Sequence, residues 1–268
     1  MGKVSMEIKL IAADLDDTLM RPDRSISDYT ADVLRRCQKD LGIPVCFVTA
    51  RSLKASERAI FIASPDYLVT SGGALCLYGE EVLLEVPFPK ADANEIIRFC
   101  KSLKSVRRFQ AETVSGDYYV CDDGVRHDLT DYGHAQYYDF NNELEEDVYK
   151  LIIGIADDSD RRTLASIFPN ARIYNYVGGE NCFIASNKAT KLRGLEIVAE
   201  HAGVGLGNVA AFGDDVGDAD YLGACGYGVA VANSVPAAKQ AARFICGPNS
   251  DDGVARWLEE SLLREGRR

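Results

Sequence analysis

The sequence predicts an α/β fold, a doubly wound and mostly parallel sheet carrying an inserted α+β domain, on three observations. Short apolar runs at 8–14, 44–49 and 209–214 each end in a polar cluster. Helical periodicity fills the chain between them. In the middle third the texture changes to hairpin-like alternation and turns.

Near-continuous apolar runs of this length read as strands buried on both faces of a parallel sheet. Between the first two runs Ser27 is a candidate N-cap, Leu34, Cys37 and Leu41 follow at helical spacing, and Gly42 is the stop. Asp28 is an alternative cap. The result is a βαβ unit, whose crossover is expected to be right-handed. A second helix over 52–63 leads to a strand at 67–70 and the Gly72-Gly73 turn. From about Gly79 onward turn signals recur at Gly79-Glu80-Glu81, Gly116-Asp117 and Asp122-Asp123-Gly124. Helices near 91–105 and 159–168 and strands at 118–121 and 151–155 belong to this stretch. After Lys188 the α/β texture returns, with a helix to about Ala202, the strand at 209–213, a helix through Leu222, a strand at 228–231 and a helix from Asp251. Residues 1–81 and 187–268 are therefore read as one domain and 82–186 as an insert within it.

Composition narrows the function. With 41 Asp+Glu against 30 Lys+Arg the net charge is −11, and no basic stripe exists to release counterions from a nucleic acid. No run of 18 apolar residues is present to cross a bilayer as a helix, and the first apolar stretch is broken by Lys9 and meets Asp14 at once, unlike a secretory signal. The eight cysteines are never closer than nine positions, so they form no Cys-x-x-Cys pair and read as buried thiols of a reducing cytoplasm. His127 and His134 lack metal-ligand spacing.

The chemistry lies in two acidic clusters. Asp14-Leu15-Asp16-Asp17-Thr18 and Gly213-Asp214-Asp215-Val216-Gly217-Asp218 each follow a strand directly. In a doubly wound sheet the carboxyl ends of the strands are where ligands bind, so the two clusters converge. Crowded carboxylates repel one another unless a cation intervenes, and a hard divalent ion, Mg²⁺, is the natural resolution. Such an ion requires Asp14 and Asp214 within reach of bonds of about 2.0–2.1 Å. In that setting Asp14 can attack phosphorus to form an aspartyl-phosphate, and Asp16 can protonate the leaving oxygen and then activate water. Phosphoryl transfer also needs donors around the equatorial oxygens, for which Thr49, followed by Ala50 and Arg51, and Lys191 are candidates, with Lys188 a rival. Asp215 reads as well as a helix cap, and Tyr118, Tyr119, Tyr137 and Tyr138 as well as alternating strand residues.

In these residues the sequence resembles the haloacid dehalogenase superfamily, in its class IIB, Cof-type phosphatase branch. Asp14-Leu-Asp-Asp-Thr-Leu19, Thr49-Ala-Arg51, Lys191-Leu-Arg-Gly-Leu195 and Gly213-Asp-Asp-Val-Gly-Asp218 resemble its four motifs in order, and Val231-Ala-Asn233, Lys239 and Asp252-Gly-Val254 its C-terminal pattern. The resemblance implies a Rossmann-like core with a type-2 cap, Asp14 as nucleophile, Asp16 as acid/base, and Thr49 and Lys191 as phosphate binders. It places Mg²⁺ on Asp14, the main chain of Asp16, and the fourth-motif acids Asp214 and Asp218. Ala50, Arg51 and Asn233 are expected near phosphate or substrate. Gly217 stands where the branch usually carries Asn. The expected activity is hydrolysis of small phosphorylated metabolites, sugar phosphates foremost, by a cytoplasmic monomer or small homo-oligomer with no nucleic-acid or membrane partner. A phosphomutase-like transferase and a phospho-accepting signalling or binding module are the alternatives; the second acid at Asp16 favours turnover over a long-lived switch.

Overall fold

The computed structural model describes residues 7–122, 135–175 and 180–263. It divides into two units, one built from the residues up to Ala50, Ser56–Leu84 and those from Lys191 onward, the other from Arg51–Ala55 and Glu85–Thr190.

The first unit holds β1 (Leu10–Ala13), β2 (Val45–Val48), β3 (Tyr67–Thr70), β4 (Leu75–Tyr78), β5 (Glu81–Glu85), β12 (Val209–Gly213), β13 (Tyr227–Ala230) and β14 (Phe244–Ile245). They form one sheet in the order β14-β13-β12-β1-β2-β3-β4-β5. All pairings from β14 to β3 are parallel and β3–β4 is antiparallel. The four residues of β1 and of β2 and the five of β12 are all buried. That is why these strands read as apolar runs rather than alternating patterns. The turn at Gly79, with φ +57°, returns the chain into β5, so this hairpin extends the larger sheet instead of opening a new one.

Helices cover both faces of this sheet. On one face Leu10, Ala12, Cys46, Val48 and Val69 meet Leu195 and Val198 of α5 (Lys191–His201) and Tyr221 and Leu222 of α6 (Ala219–Ala224). On the other, Phe212 lies edge-on to Trp257 of α8 (Gly253–Leu258), at 5.3 Å between ring centroids, and α1 (Asp28–Leu41) packs beside α8. Ser27 caps α1 by accepting from the Thr30 N–H, with Asp28 inside the first turn, and Gly42 ends it in the left-handed region at φ 67°. Ser52 Oγ accepts from the Ala55 N–H at the start of α2 (Leu53–Ala63). Pro236 opens α7 (Pro236–Ala241).

The second unit is a sheet in the order β10-β11-β9-β6-β7-β8, antiparallel apart from the β7–β8 pair. Its strands are β6 (Val106–Thr113), β7 (Tyr118–Asp122), β8 (Ala135–Tyr137), β9 (Val148–Ile155), β10 (Ala171–Asn175) and β11 (Asn181–Ser186). Residues such as Ala111, Leu151, Ile153 and Ile184 meet Ile96, Ile97 and Leu164 from α3 (Lys90–Lys101) and α4 (Asp158–Ile167). Helix α3 stops four residues short of the sequence expectation, where Ser102 Oγ turns back onto the Phe99 carbonyl at 2.6 Å. Tyr118 is buried with its hydroxyl on Gln110 at 2.6 Å, while Tyr119 meets Tyr138 across 4.8 Å. Tyr118 and Tyr119 behave as alternating residues of β7, and Tyr138 follows the end of β8. The expected turn at Asp122-Asp123-Gly124 reaches past the described residues, and His127 and His134 lie outside them.

All eight cysteines are thiols. Among the described residues no helix is long and apolar enough to cross a membrane.

Close approaches in the first unit demand glycine. A Cβ on Gly228 would stand 1.9 Å from the Leu222 carbonyl oxygen, a backbone atom that cannot swing aside, whereas one on Gly205 would meet nothing within 4 Å. Gly228→Ala should therefore cost about 1–3 kcal/mol, and Gly205→Ala almost nothing, in chemical-denaturation midpoints.

Candidate active site

Strands β1 and β12 are neighbours from which the chain departs in opposite directions, through β2 and β3 on one side and β13 and β14 on the other. The crevice at the carboxyl end of such a reversal is where doubly wound folds place ligands. Asp14 follows β1 and Asp214 follows β12. The ladder continues one step beyond β1, with the Asp14 N–H on the Phe212 carbonyl at 3.0 Å, so Asp14 leaves the sheet in a fixed direction.

The chain then winds through a wide turn, Leu15–Leu19. The Leu19 N–H reaches the Asp14 carbonyl at 3.3 Å and the Met20 N–H the Leu15 carbonyl at 2.8 Å. Inside the turn Asp16 is extended (φ −66°, ψ 133°) and Asp17 is left-handed (φ 53°, ψ 7°). The left-handed region costs a residue with a side chain roughly 1 kcal/mol, and Asp tolerates it better than most. Asp16 is exposed beside the buried Asp14.

Lys191, the first residue of α5, places its Nζ 3.0 Å from Asp14 Oδ1 and 2.7 Å from Asp218 Oδ1, with the three side chains between 0% and 7% exposed. The other oxygen of Asp218 accepts the main-chain N–H groups of Asp214 (2.9 Å) and Asp215 (3.0 Å). Thr18 Oγ1 donates to Asp214 Oδ1 at 2.7 Å, tying the two acidic segments together. Gly213 makes room for this arrangement: a Cβ there would lie 2.6 Å from both Asp218 Cβ and the Tyr221 hydroxyl. That hydroxyl donates to the Phe212 carbonyl at 2.7 Å.

One carboxylate oxygen each from Asp14, Asp214 and Asp218 lies within 4.8 Å of the others. Burial raises the Asp14 pKa well above the usual carboxylate range; Lys191 opposes the rise, and Asp218, Asp214 and Asp16 add to it. Asp214 is pushed up to about 7, by burial first and by the charge of Asp218 next, against the Thr18 hydrogen bond and Lys191. Burial also raises Asp215, which opens the short turn leading to Asp218. An all-oxygen donor set with its charges this crowded fits a hard divalent cation. Asp218, with one oxygen on Lys191 and the other on two amides, also serves as a scaffold for the cluster.

The structure thus brings together Asp14, Asp214, Asp218 and Lys191, while Lys188 is exposed, its N–H on Ser186 Oγ at 3.3 Å. Thr49 is fully buried at the carboxyl end of β2, next to β1; its N–H bonds the Val69 carbonyl and its carbonyl takes the Gly72 N–H. Ala50 follows it. Arg51 groups with the second unit and donates to the Ala55 carbonyl at 3.2 Å. Asn233 follows β13, with its Nδ2 on the Asp17 carbonyl at 2.7 Å and its Oδ1 accepting the Asn249 N–H at 3.0 Å. Tyr221 and Asn249 carry no signal in the sequence, and Thr18 stands out there only as part of a motif. Nothing in local spacing marks a hydroxyl that braces a strand end.

Fold and site define a doubly wound α/β protein with an acidic centre at a sheet's topological switch point. A family model for haloacid dehalogenase-like hydrolases matches residues 11–258, and the chain belongs to that family. It is 28% identical over 271 residues to a 5-amino-6-(5-phospho-D-ribitylamino)uracil phosphatase of Bacillus subtilis strain 168, covering 95% of this chain and 98% of that one. It is 24% identical to a phosphoglycolate phosphatase of Methanothrix thermoacetophila, across 94% and 96% of the two chains. A solved subclass IIB sugar phosphatase superposes with a TM-score of 0.81 at 20% identity, covering 94% and 98%. A solved protein of Streptococcus mutans UA159 does so at 0.85 and 19%, covering 96% and 99%. The family and the curated relatives support the expected phosphoric monoester hydrolase.

The raised acids set a pH dependence. A carboxyl whose folded pKa lies above its unfolded value favours folding while protonated, so the metal-free protein should lose stability as pH rises from about 4 to about 7, the value reached by Asp214. A bound divalent cation reverses that penalty. Thermal melts with EDTA and with MgCl₂ should therefore diverge more at pH 7.5 than at pH 5; equal melting at both would exclude a cation at these acids.

Proposed function

We propose that this hydrolase is a Mg²⁺-dependent phosphatase of small phosphorylated metabolites, sugar phosphates foremost, working through an aspartyl-phosphate on Asp14. The observation that carries this reading is the buried Asp14 carboxylate 3.0 Å from Lys191, beside Asp214 at the sheet's switch point. Its relatives' named substrates share a phosphate monoester on a small molecule, which suits the same class here.

An attacking carboxylate must be ionised, and burial opposes that. Lys191 supplies the nearest counter-charge, and Mg²⁺ held by Asp14, the Asp16 carbonyl and Asp214 would supply Lewis acidity toward the phosphoryl oxygens. Asp14 Oδ forms a bond to phosphorus as the bond to the leaving oxygen breaks, and Asp16 hands its proton to that oxygen. Water then attacks the same phosphorus, Asp16 takes its proton, and inorganic phosphate leaves with Asp14 restored. Thr49 and Lys191 donate to the equatorial oxygens, the role that costs least when the donors are already fixed. Ala50, Arg51 and Asn233 are the further candidates for contact with phosphate or substrate. The second unit is the cap that selects among substrates, and water exclusion protects the acyl phosphate.

The test is phosphate release from a panel of phosphorylated sugars and other metabolites, each supplied alone so that a mutase would release none. Asp14→Asn should lower turnover by at least about 10³-fold and leave the far-UV spectrum and melting intact, since it removes a desolvated charge. Lys191→Met should lower turnover and move the acidic limb of the kcat/KM profile to higher pH, because Asp14 loses the cation that opposes its protonation. Retained activity in Asp14→Asn would remove it as nucleophile.

A further inference from the structure

Segment 233–252 is bonded to the acidic turn at two points and to the residue just beyond it at a third. Asn233 donates its Nδ2 to the Asp17 carbonyl at 2.7 Å. Asn249, only 4% exposed, donates its Nδ2 to the Met20 carbonyl at 2.8 Å and its N–H to Asn233 Oδ1 at 3.0 Å. Two side-chain amides thus form a relay that grips the turn in its middle and at its end. Just beyond, Arg21 forks onto Asp252, with Nε 3.0 Å from Oδ1 and Nη2 2.5 Å from Oδ2. The hydroxyls of Ser27 and Thr30 donate to the same Oδ1 at 2.9 and 3.2 Å, which anchors Asp252 to the start of α1.

This segment is itself well braced. Gly253 packs so closely that a Cβ would lie 1.9 Å from the Gly247 carbonyl oxygen, and its N–H bonds the Pro248 carbonyl at 3.1 Å. The turn it holds is irregular: main-chain bonds from Leu19 and Met20 close it around an extended Asp16 and a left-handed Asp17. A short irregular turn with a non-glycine residue in the left-handed region keeps one conformation only when its surroundings determine it.

We propose that Asn233, Asn249 and the Arg21–Asp252 pair are positioning residues that clamp the turn after Asp14 and so hold Asp16 where proton transfer requires it. The proposal rests on the reading of Asp14 and Asp16 as the reacting acids. The bonds from Asn249 and Arg21 run to the Met20 carbonyl and to Asp252, so their loss acts on the chemical step more than on affinity. Misplacement of a reacting group by about 1 Å can cost 10²-fold in rate.

The test uses the full chain with p-nitrophenyl phosphate and saturating MgCl₂. Asn249→Asp keeps the shape and removes the donor to Met20. Arg21→Met removes the fork onto Asp252, whose side chain is only 6% exposed and keeps its bonds from Ser27 and Thr30, so thermal melts accompany the kinetics, and Arg21→Lys restores the charge. Amide hydrogen exchange over 15–21 is compared with that in β1 and α1. The expected result for Asn249→Asp and Arg21→Met is a fall in kcat of about 10- to 100-fold with KM within about 3-fold. The amides of Leu19 and Met20 should exchange faster while β1 and α1 do not, and Arg21→Lys should recover a large part of the rate. Faster exchange with unchanged kcat, a loss of kcat with unchanged exchange, or a change in KM alone would each overturn the positioning role. If the wild-type protein releases no phosphate from any monoester, the reading of Asp14 and Asp16 fails; unchanged exchange in the variants would then overturn the clamp separately.

Discussion

Repulsion among buried carboxylates at the ends of β1 and β12 is the constraint around which the first unit is arranged. Asp14 and Asp218 are almost wholly removed from water, and one ammonium group lies between them. One positive charge cannot balance three neighbouring acids, so the cluster holds either protons or a further cation. The supporting contacts all serve to keep the acids close in spite of that tension. Main-chain amides stabilise Asp218, a threonine hydroxyl holds Asp214, and a glycine leaves room beneath the strand. Strain of this kind is tolerated at sites where charge is to be matched by a ligand.

Lys191 also shows how chain order and electrostatics coincide. It is the first residue of α5 and the first that groups with the larger sheet after the long insert. The positive end of an 11-residue helix therefore stands on the same side as the ammonium group, reinforcing its effect on Asp14. Gly194, one turn on, lets that helix lie against Val69, since a Cβ there would come within 2.4 Å of Val69 Cγ1. The depth of the lysine follows from how closely its helix approaches the sheet.

The core strands were legible because burial on both faces leaves no polar alternation, as in β1, β2 and β12, and α1 because its Ser27 and Gly42 caps act through local backbone geometry. The convergence of Asp14 with Asp214 followed from topology: carboxyl ends of adjacent parallel strands meet. Other features depend on contacts between distant segments. Nothing local distinguishes Lys191 from Lys188; only the packing of α5 buries one and leaves the other exposed. The hairpin through Gly79 reads as the start of a new region, yet its edge pairing joins it to the first sheet. Tyr221 and Asn249 act on main-chain carbonyls far from or unrelated to their own motif, and such roles have no sequence period.

The distribution of sulfur gives the molecule an internal gauge of its own opening. Seven of the eight thiols are buried and Cys121 alone is half-covered. Burial holds those at 37, 76, 100, 182, 225 and 246 protonated, at about 11 to 12. A folded chain is therefore almost inert to alkylation, and each additional sulfur that reacts records the breathing of a specific stretch: Cys46 and Cys225 for the parallel sheet and its α6 cover, Cys100 and Cys182 for the smaller one.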